Sequence, residues 1–457
     1  MGERLRYPPQ VKYIVGNEAC ERFSFYGMRS ILVLYMTQDL LMGVPDATAW
    51  FHAFVGANYV TPLVGGWIAD RYWGRYRTIL WISTAYLAGH ATLALWTTRE
   101  GLLAGCALIA LGAGGIKPCA SAFVGDQFGP GQETLMQRVY GWFYWSINLG
   151  SASSYLLIPW LLKTRGPAVA FAVPGLLMAI ALAAFWAGTT TYVRSPPSGP
   201  DPHGFPRVVR RALERFGLGK PGDHWLDAAR DRHPEEAVEG AKAVFRLVGV
   251  YAAVSFFWAL FDQKSSTWVM QGKVMDRMIL GAEPSPAAFQ IFNPVLIMVL
   301  IPLLSLVVFP AMERRGFSLT PLRKMTAGMF LTACSFVAAA VLQTVLDAGQ
   351  SPSILWQLPQ YVLLTVGEIL VSVTGLEFSY TQAPRSMRST VMSFWFLTVA
   401  AGNGITATLA KLVRLSGASH FWLYAVLMLL AAVAFREIAR RYRVWTPPRE
   451  APAPVVG

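Results

Sequence analysis

Apolar runs of about 20 residues recur along this chain, each long enough at about 1.5 Å per residue to cross roughly 30 Å of hydrocarbon as a helix. Twelve can be marked, near residues 13–40, 48–69, 78–97, 101–123, 139–162, 168–193, 244–270, 287–311, 322–346, 354–382, 390–413 and 420–437. In lipid every backbone N–H and C=O must be satisfied within a helix or a closed barrel, and these runs lack the alternation of barrel strands. The predicted fold class is therefore an all-α integral membrane protein. With 54% hydrophobic and only 14% charged residues, and a mean hydropathy of +0.40, the composition argues against a soluble two-domain enzyme.

The net charge of +13 does not point to nucleic acid, because the Lys and Arg flank the helices on one side. Counting those within three residues of a span's end with the adjoining turn, 28 of the 39 fall in the N-terminus, the even-numbered turns and the tail, 7 in odd-numbered turns, and 4 inside helices. The positive-inside rule then predicts cytoplasmic N- and C-termini. The opening Met-Gly-Glu-Arg-Leu-Arg-Tyr-Pro-Pro has no cleavable signal pattern, so the first helix is expected to be retained. Cys20, Cys106, Cys119 and Cys334 lie in apolar segments without metal-ligand spacing and read as small core residues. The absence of any Asn-x-Ser/Thr sequon, with short external turns, favours a bacterial inner membrane over an animal one.

Residues 194–243 interrupt the pattern with Pro196, Pro197, Pro200, Pro202 and Pro206, then Arg207-Val-Val-Arg-Arg-Ala-Leu-Glu-Arg-Phe, then a mixed-charge stretch to Lys242. The predicted organisation is a six-helix bundle over 1–193, a polar cytoplasmic linker over 194–243, and a second six-helix bundle with a cytoplasmic tail over 244–457. This is the layout of major-facilitator transporters, whose solute site lies near the midplane between halves. Arg207 to Phe216 reads as a short helix, either lying on the membrane surface or solvated.

Charges inside the apolar helices sharpen the reading. Glu18, Arg22 and Arg29 are spaced i, i+4 and i+11, so they share one helix face, with Glu21 about 60° away. Lipid cannot be what that face meets, and such residues mark substrate or proton routes; the bland alternative is a structural Glu18–Arg22 ion pair. Arg29 and Asp262 both lie about 24 Å up their helices, which predicts a pair closing the outer mouth and opening when Asp262 takes a proton. Lys117 and Glu368 fall nearer the level of Glu18 and Arg22, as a second cluster. Lys264, about 200° around the helix from Asp262 and close to its end, is expected to snorkel to the headgroups. Glu377 reads equally as a structural partner for a loop.

Tyr26, Tyr59, Trp258 and Trp395, with Asn148 and Asn293, lie near these charges. Each alone is an ordinary packing or interface residue. A cavity with cations, a carboxylate, amides and aromatic walls suits a zwitterion with variable side chains, such as a short peptide. His52 opens the second span seven residues before Tyr59, where a titrating imidazole can carry a proton, although an interfacial histidine is the more common case.

These residues resemble the proton-dependent oligopeptide transporter family. Its first-helix motif, Glu-x-x-Glu-Arg-Phe-x-Tyr-Tyr-Gly, appears as Glu18-Ala-Cys-Glu21-Arg22-Phe23-Ser-Phe25-Tyr26-Gly27, with Phe25 replacing the first tyrosine. Gly65-Gly66-Trp-Ile-Ala-Asp70-Arg71-Tyr-Trp-Gly74-Arg75 looks like the facilitator loop between the second and third helices. Further matches are Gly115-Ile-Lys117-Pro118, Phe143-Tyr144-Trp-Ser-Ile-Asn148-Leu-Gly150, Phe257-Trp258-Ala-Leu-Phe-Asp262-Gln263, Asn293-Pro294, Gly367-Glu368 and Met392-Ser-Phe-Trp395-Phe. The resemblance implies that Glu18, Glu21 and Arg22 couple protons, that Lys117 and Glu368 hold opposite peptide ends or each other, and that Arg29 and Asp262 form the outer gate. It also implies a pocket lined by Arg22, Tyr26, Tyr59, Asn148, Trp258, Asn293 and Trp395, and matches His52 to a proton-linked histidine. The linker has no apolar run for the two extra helices of many bacterial relatives, so twelve helices are expected.

The predicted function is proton-coupled symport of di- and tripeptides by alternating access, with protons as coupling ion, no cofactor and a monomer as the working unit. The alternatives are transport of nitrate or another small organic anion on the same fold, and a non-transporting peptide sensor. No Walker-type run and no nucleophile–base or metal-ligand spacing points to an enzyme.

Overall fold

The computed structural model describes residues 7–129, 131–197, 199, 201–217, 224–382, 387–413 and 415–442; the tail beyond them and part of the linker lie outside. Every named element among the described residues is helical. The first half contains α1 (Val11–Gln38), α2 (Val44–Ile68) with a π turn at Ala69–Trp73, α3 (Gly74–Leu95), α4 (Arg99–Gly125), α5 (Glu133–Arg165) and α6 (Pro167–Ala187). The linker carries α7 (Phe205–Glu214) and a 3-10 turn at Trp225–Asp231. The second half runs through α8 (Glu235–Phe261), a 3-10 turn at Asp262–Ser265, α9 (Thr267–Lys273), α10 (Phe292–Leu303), α11 (Phe309–Arg314) and α12 (Pro321–Asp347). It closes with α13 (Leu358–Glu368), a π turn at Ile369–Val373, α14 (Thr374–Thr381), α15 (Arg388–Leu412) and α16 (Ala418–Arg441).

Among the described residues, eight helical stretches are long and apolar enough to cross a membrane by composition alone, and one of these, Val44–Leu95, contains both α2 and α3. Gly74 separates the two at φ 72°, a left-handed conformation that glycine adopts without penalty. The helix α1 falls short for a chemical reason: it carries Lys12, Glu18, Glu21, Arg22 and Arg29. In α5, serines and aromatics dilute the apolar character.

Two apolar cores form. One is built around Phe25, Phe51, Tyr86, Phe123 and Phe171, the other around Phe257, Trp268, Phe336, Tyr361 and Tyr424. Within the first half α1 packs on α5 and α6, and α4 on α2 and α3; within the second, α12 packs on α13 and α16, and α15 on α8. The halves meet where α2 lies against α15 and α5 lies against the turn Pro286–Ile291. We call the end of the bundle that holds the start of α1 and the end of α16 proximal, and the opposite end distal.

The linker is docked. Val208 and Ala212 of α7 and Leu226 and Ala229 of the following turn are fully buried in the second core, and the Phe205 ring meets Phe245 at 5.7 Å and Phe394 at 5.5 Å. The face of α7 that carries Val208 and Ala212 is therefore covered by protein, while Leu213 and Phe216 stay exposed. The end of the mixed-charge stretch, Glu235 to Lys242, belongs to the first turns of α8, which starts well before the apolar run near 244. Of the cysteines, Cys119 is buried and Cys20 and Cys106 are half-buried, whereas Cys334 is exposed on α12 rather than in a core.

Candidate functional site

The distal layer begins with a break in a helix. At Phe261 the regular turns of α8 give way to the 3-10 turn Asp262–Ser265, and α9 restarts at Thr267. Asp262 is buried and pairs with the guanidinium of Arg29, which is also buried. The second carboxylate oxygen, Oδ2, accepts from Asn403 Nδ2 at 2.6 Å, and Asn403 Oδ1 lies 2.7 Å from His52 Nδ1. His52 Nε2 in turn lies 3.0 Å from Ser266 Oγ. A neutral His52 with its proton on Nδ1 satisfies this arrangement, donating to Asn403 and accepting from Ser266. The series Arg29, Asp262, Asn403, His52, Ser266 thus crosses between the two halves three times, at Arg29–Asp262, Asn403–His52 and His52–Ser266. Gly402 makes it possible, because a Cβ there would stand 2.3 Å from the Ser255 carbonyl oxygen, and its absence lets α15 touch α8.

Further ties join the halves at this end. Gln290 Nε2 donates to the Ser30 carbonyl at 3.2 Å, and Leu34 packs with Val269 and Ala287.

Lys264 corrects a sequence expectation. It does not snorkel: it is 4% exposed, its Nζ lies 3.0 Å from the Phe261 ring centre, and Glu368 and then Asp262 are the carboxylates acting on it most strongly. The 200° separation from Asp262 assumed regular α geometry, and the break at Phe261 removes that premise. A buried ammonium needs an anion or an aromatic face, and Lys264 has both.

Nearer the proximal end, Arg22 Nε lies 2.8 Å from Glu18 Oε1 in a hydrogen-bonded ion pair, and 2.7 Å from Glu21 Oε2 without hydrogen-bond alignment. Glu18 Oε2 and both Glu21 oxygens are buried without a donor among the described residues. Such atoms call for a bound water or proton to complete their shell. Lys117 projects over the rings of Phe25 at 4.2 Å and Tyr59 at 4.5 Å, and its Nζ lies 3.5 Å from the Asn58 carbonyl oxygen. The Phe25 that departs from the family motif therefore still serves this cation through its ring face.

Glu368 ends α13, immediately before the π turn Ile369–Val373. Its Oε2 accepts from Asn293 Nδ2 at 2.7 Å, and Asn293 also reaches Thr365 Oγ1 at 3.2 Å. Lys117 and Glu368 form no ion pair with each other among the described residues: Lys117 lies over the Phe25 and Tyr59 rings, and Glu368 is held by Asn293. Of the expected pocket walls, Tyr59 meets Phe396 across the halves at 6.3 Å and Tyr26 meets Tyr155 at 6.1 Å. Asn148 Nδ2 donates to the Tyr144 carbonyl. Trp258 is buried with its Nε1 unpartnered, and the Trp395 ring fills the space left by Gly375. Glu377 is exposed on α14, away from the cluster.

Asn403 and Ser266 escaped the sequence reading, in which Gln263 figures only within a motif and His420 has no role. Gln263 Oε1 accepts from Thr267 and faces His420 Nε2 at 3.0 Å, so the broken turn is fastened to α16. The polar residues Asn403 and His420 within apolar helices were the available signal.

Comparison with known proteins is consistent with this geometry. Residues 76–436 match the model of the POT family, PTR2. The chain is 35% identical to solute carrier family 15 member 1 of Mus musculus over 85% of its own length and 59% of that protein's. It is 40% identical to an auto-inhibited POT family peptide transporter of solved structure, with a TM-score of 0.90 and coverage of 97% and 99% of the two chains. It is 39% identical to the POT family transporter PepTSo, with a TM-score of 0.89 and coverage of 96% and 99%. A fold shared over nearly the whole chain, with a family match spanning most of both halves, shows that this protein belongs to the POT family.

Proposed function

We propose that this chain imports di- and tripeptides together with protons, by alternating access of its two halves. The observation that carries the reading is charge balance in the buried site: Arg22 and Lys117 face Glu18 and Glu21, while Arg29 and Lys264 face Asp262 and Glu368. A zwitterion enters such a site without changing its net charge, one terminus to each sign. A proton added to one carboxylate frees a cation for the peptide carboxylate, which links the two cargoes. The membrane potential adds about 2.3 kcal/mol per charge per 100 mV, so a proton moving inward can concentrate peptide.

In this reading the distal layer is the closed outer gate, Glu18, Glu21, Arg22 and His52 belong to the proton route, and Tyr26, Tyr59, Asn148, Trp258, Asn293 and Trp395 line the peptide site with Lys117 and Glu368. Twelve spans, cytoplasmic termini, a bacterial inner membrane and a monomeric working unit complete it; the 28 Lys and Arg that the sequence puts in the N-terminus, even-numbered turns and tail support the topology. The test is uptake into proteoliposomes: an acidic exterior and negative interior should drive dialanine accumulation. Nitrate accumulating instead would assign the anion reading, and saturable dialanine binding without flux would assign a sensor.

A further inference from the structure

At the proximal end, away from the charged site, a cavity of about 970 Å³ opens between α12, α14 and α16. Its described lining carries Arg323, Arg436 and Arg440 and no carboxylate, while Ala327 and Phe330, on the next turns of α12, provide accessible apolar surface deeper in. The arginines are nearly free. Arg323 donates only to Ser318, Arg436 forms no ion pair among the described residues, and Arg440 lies 4.0 Å from Glu437, whose carboxylate is held 2.6 Å from Arg441. Two guanidinium groups without an ion pair among the described residues and a third in a long one converge on one opening, where like charges repel one another unless an anion joins them.

Position decides what that anion is. Arg323 lies near the start of α12, and Arg436 and Arg440 near the end of α16, so all three stand at the level where the bundle leaves the bilayer; Phe330 lies about two turns up α12 from Arg323, roughly 10 Å into the hydrocarbon. A soluble anion would leave that apolar surface uncovered, whereas a phospholipid presents phosphate and acyl chains at the matching depths. We propose that this groove binds an anionic phospholipid, its phosphate among Arg323, Arg436 and Arg440 and its chains along Ala327 and Phe330.

The bound lipid has a mechanical role. The groove includes Phe378 and Thr381 of α14, the segment that follows Glu368 and the π turn Ile369–Val373, and the Phe378 ring meets Tyr442 beyond α16 at 5.4 Å. A lipid seated there braces α14 against α12 and α16. The binding claim rests on the membrane-spanning reading and not on peptide being the solute.

Native mass spectrometry of the purified full chain tests it, with added phosphatidylglycerol, phosphatidylcholine or inorganic phosphate, on wild type and on Arg323→Gln/Arg436→Gln/Arg440→Gln. The wild type should retain phosphatidylglycerol over phosphatidylcholine, and affinity should fall roughly fivefold per arginine, on the order of a hundredfold for the triple variant. A second variant, Arg314→Gln/Arg315→Gln, removes exposed charge at the same end outside the groove and should retain the lipid. Equal retention by the triple variant, equal loss in the control variant, or displacement by millimolar inorganic phosphate would overturn the proposal. In proteoliposomes, anionic lipid should raise wild-type uptake several-fold and leave the triple variant unmoved; if peptide flux is absent altogether but lipid selectivity holds, the transport reading fails and the lipid site stands.

Discussion

Asn403 faces two partners at once, donating from Nδ2 to Asp262 at 2.6 Å and accepting on Oδ1 from His52 at 2.7 Å. A carboxylate and an imidazole on different halves are thereby linked through one amide. Asn403→Ala leaves both partners short of a hydrogen bond, at a cost of about 1.5–3 kcal/mol for the bond to the charged group, or roughly tenfold or more in a rate that depends on it. Proton-driven accumulation should fall by that factor, while peptide exchange at equal pH on both sides falls less. Equal loss in both assays would show that Asn403 acts in binding rather than coupling.

Arg29 and Asp262 are both buried, so removing either leaves an uncompensated charge and should destabilise by about 3–5 kcal/mol. Arg29→Ala and Asp262→Ala combined should cost clearly less than the sum of the singles, in thermal stability and in uptake. Simple additivity would mean that the pair does not act as one gate.

Lys264 is buried over the Phe261 ring, and Glu368 is the carboxylate whose charge acts on it most strongly. Lys264→Met should reduce uptake at least about tenfold, against no effect for a side chain reaching the headgroups. Glu368→Gln added to Lys264→Met should recover thermal stability, since neither charge is then stranded; no recovery would place the partner of Lys264 elsewhere.

At the linker, His203 Nδ1 and His233 Nδ1 lie 3.1 Å apart, so one must donate and the other accept. Burial, and then the neighbouring His203, hold His233 below its ordinary value of 6.5. The docked state therefore takes up fewer protons than the free one, and docking weakens as pH falls through about 6.5. Hydrogen exchange in α7 should rise between pH 7.5 and pH 5.5, and His233→Gln should flatten that dependence. An unchanged pH response in the variant would assign it to other groups.

The sequence was most informative where one residue's chemistry is incompatible with lipid. Arg29 and Asp262 were matched by depth alone, because charges at one level of an apolar bundle must find each other, and Glu18 and Arg22 by helical spacing. It was least informative where regular geometry ended. Lys264 was assigned to the headgroups on an angle that only an unbroken helix would impose. Lys117 and Glu368 share a level, yet aromatic rings take one and Asn293 takes the other, a choice that spacing along separate helices does not encode. Asn403 has no charge to mark it, and the docking of α7 depends on Phe394, nearly 190 residues later in the chain.

Because α7 and the turn after it are packed into the second half, only the stretch between Val193 and Gly204 connects the halves covalently. Gln127 grips Val193 through both its backbone N–H, at 2.9 Å, and its carbonyl, at 3.0 Å, so the leash begins there. Fully extended it spans at most roughly 40 Å. That is ample for two bundles to rock through alternating access, and short enough to keep each one the other's permanent neighbour.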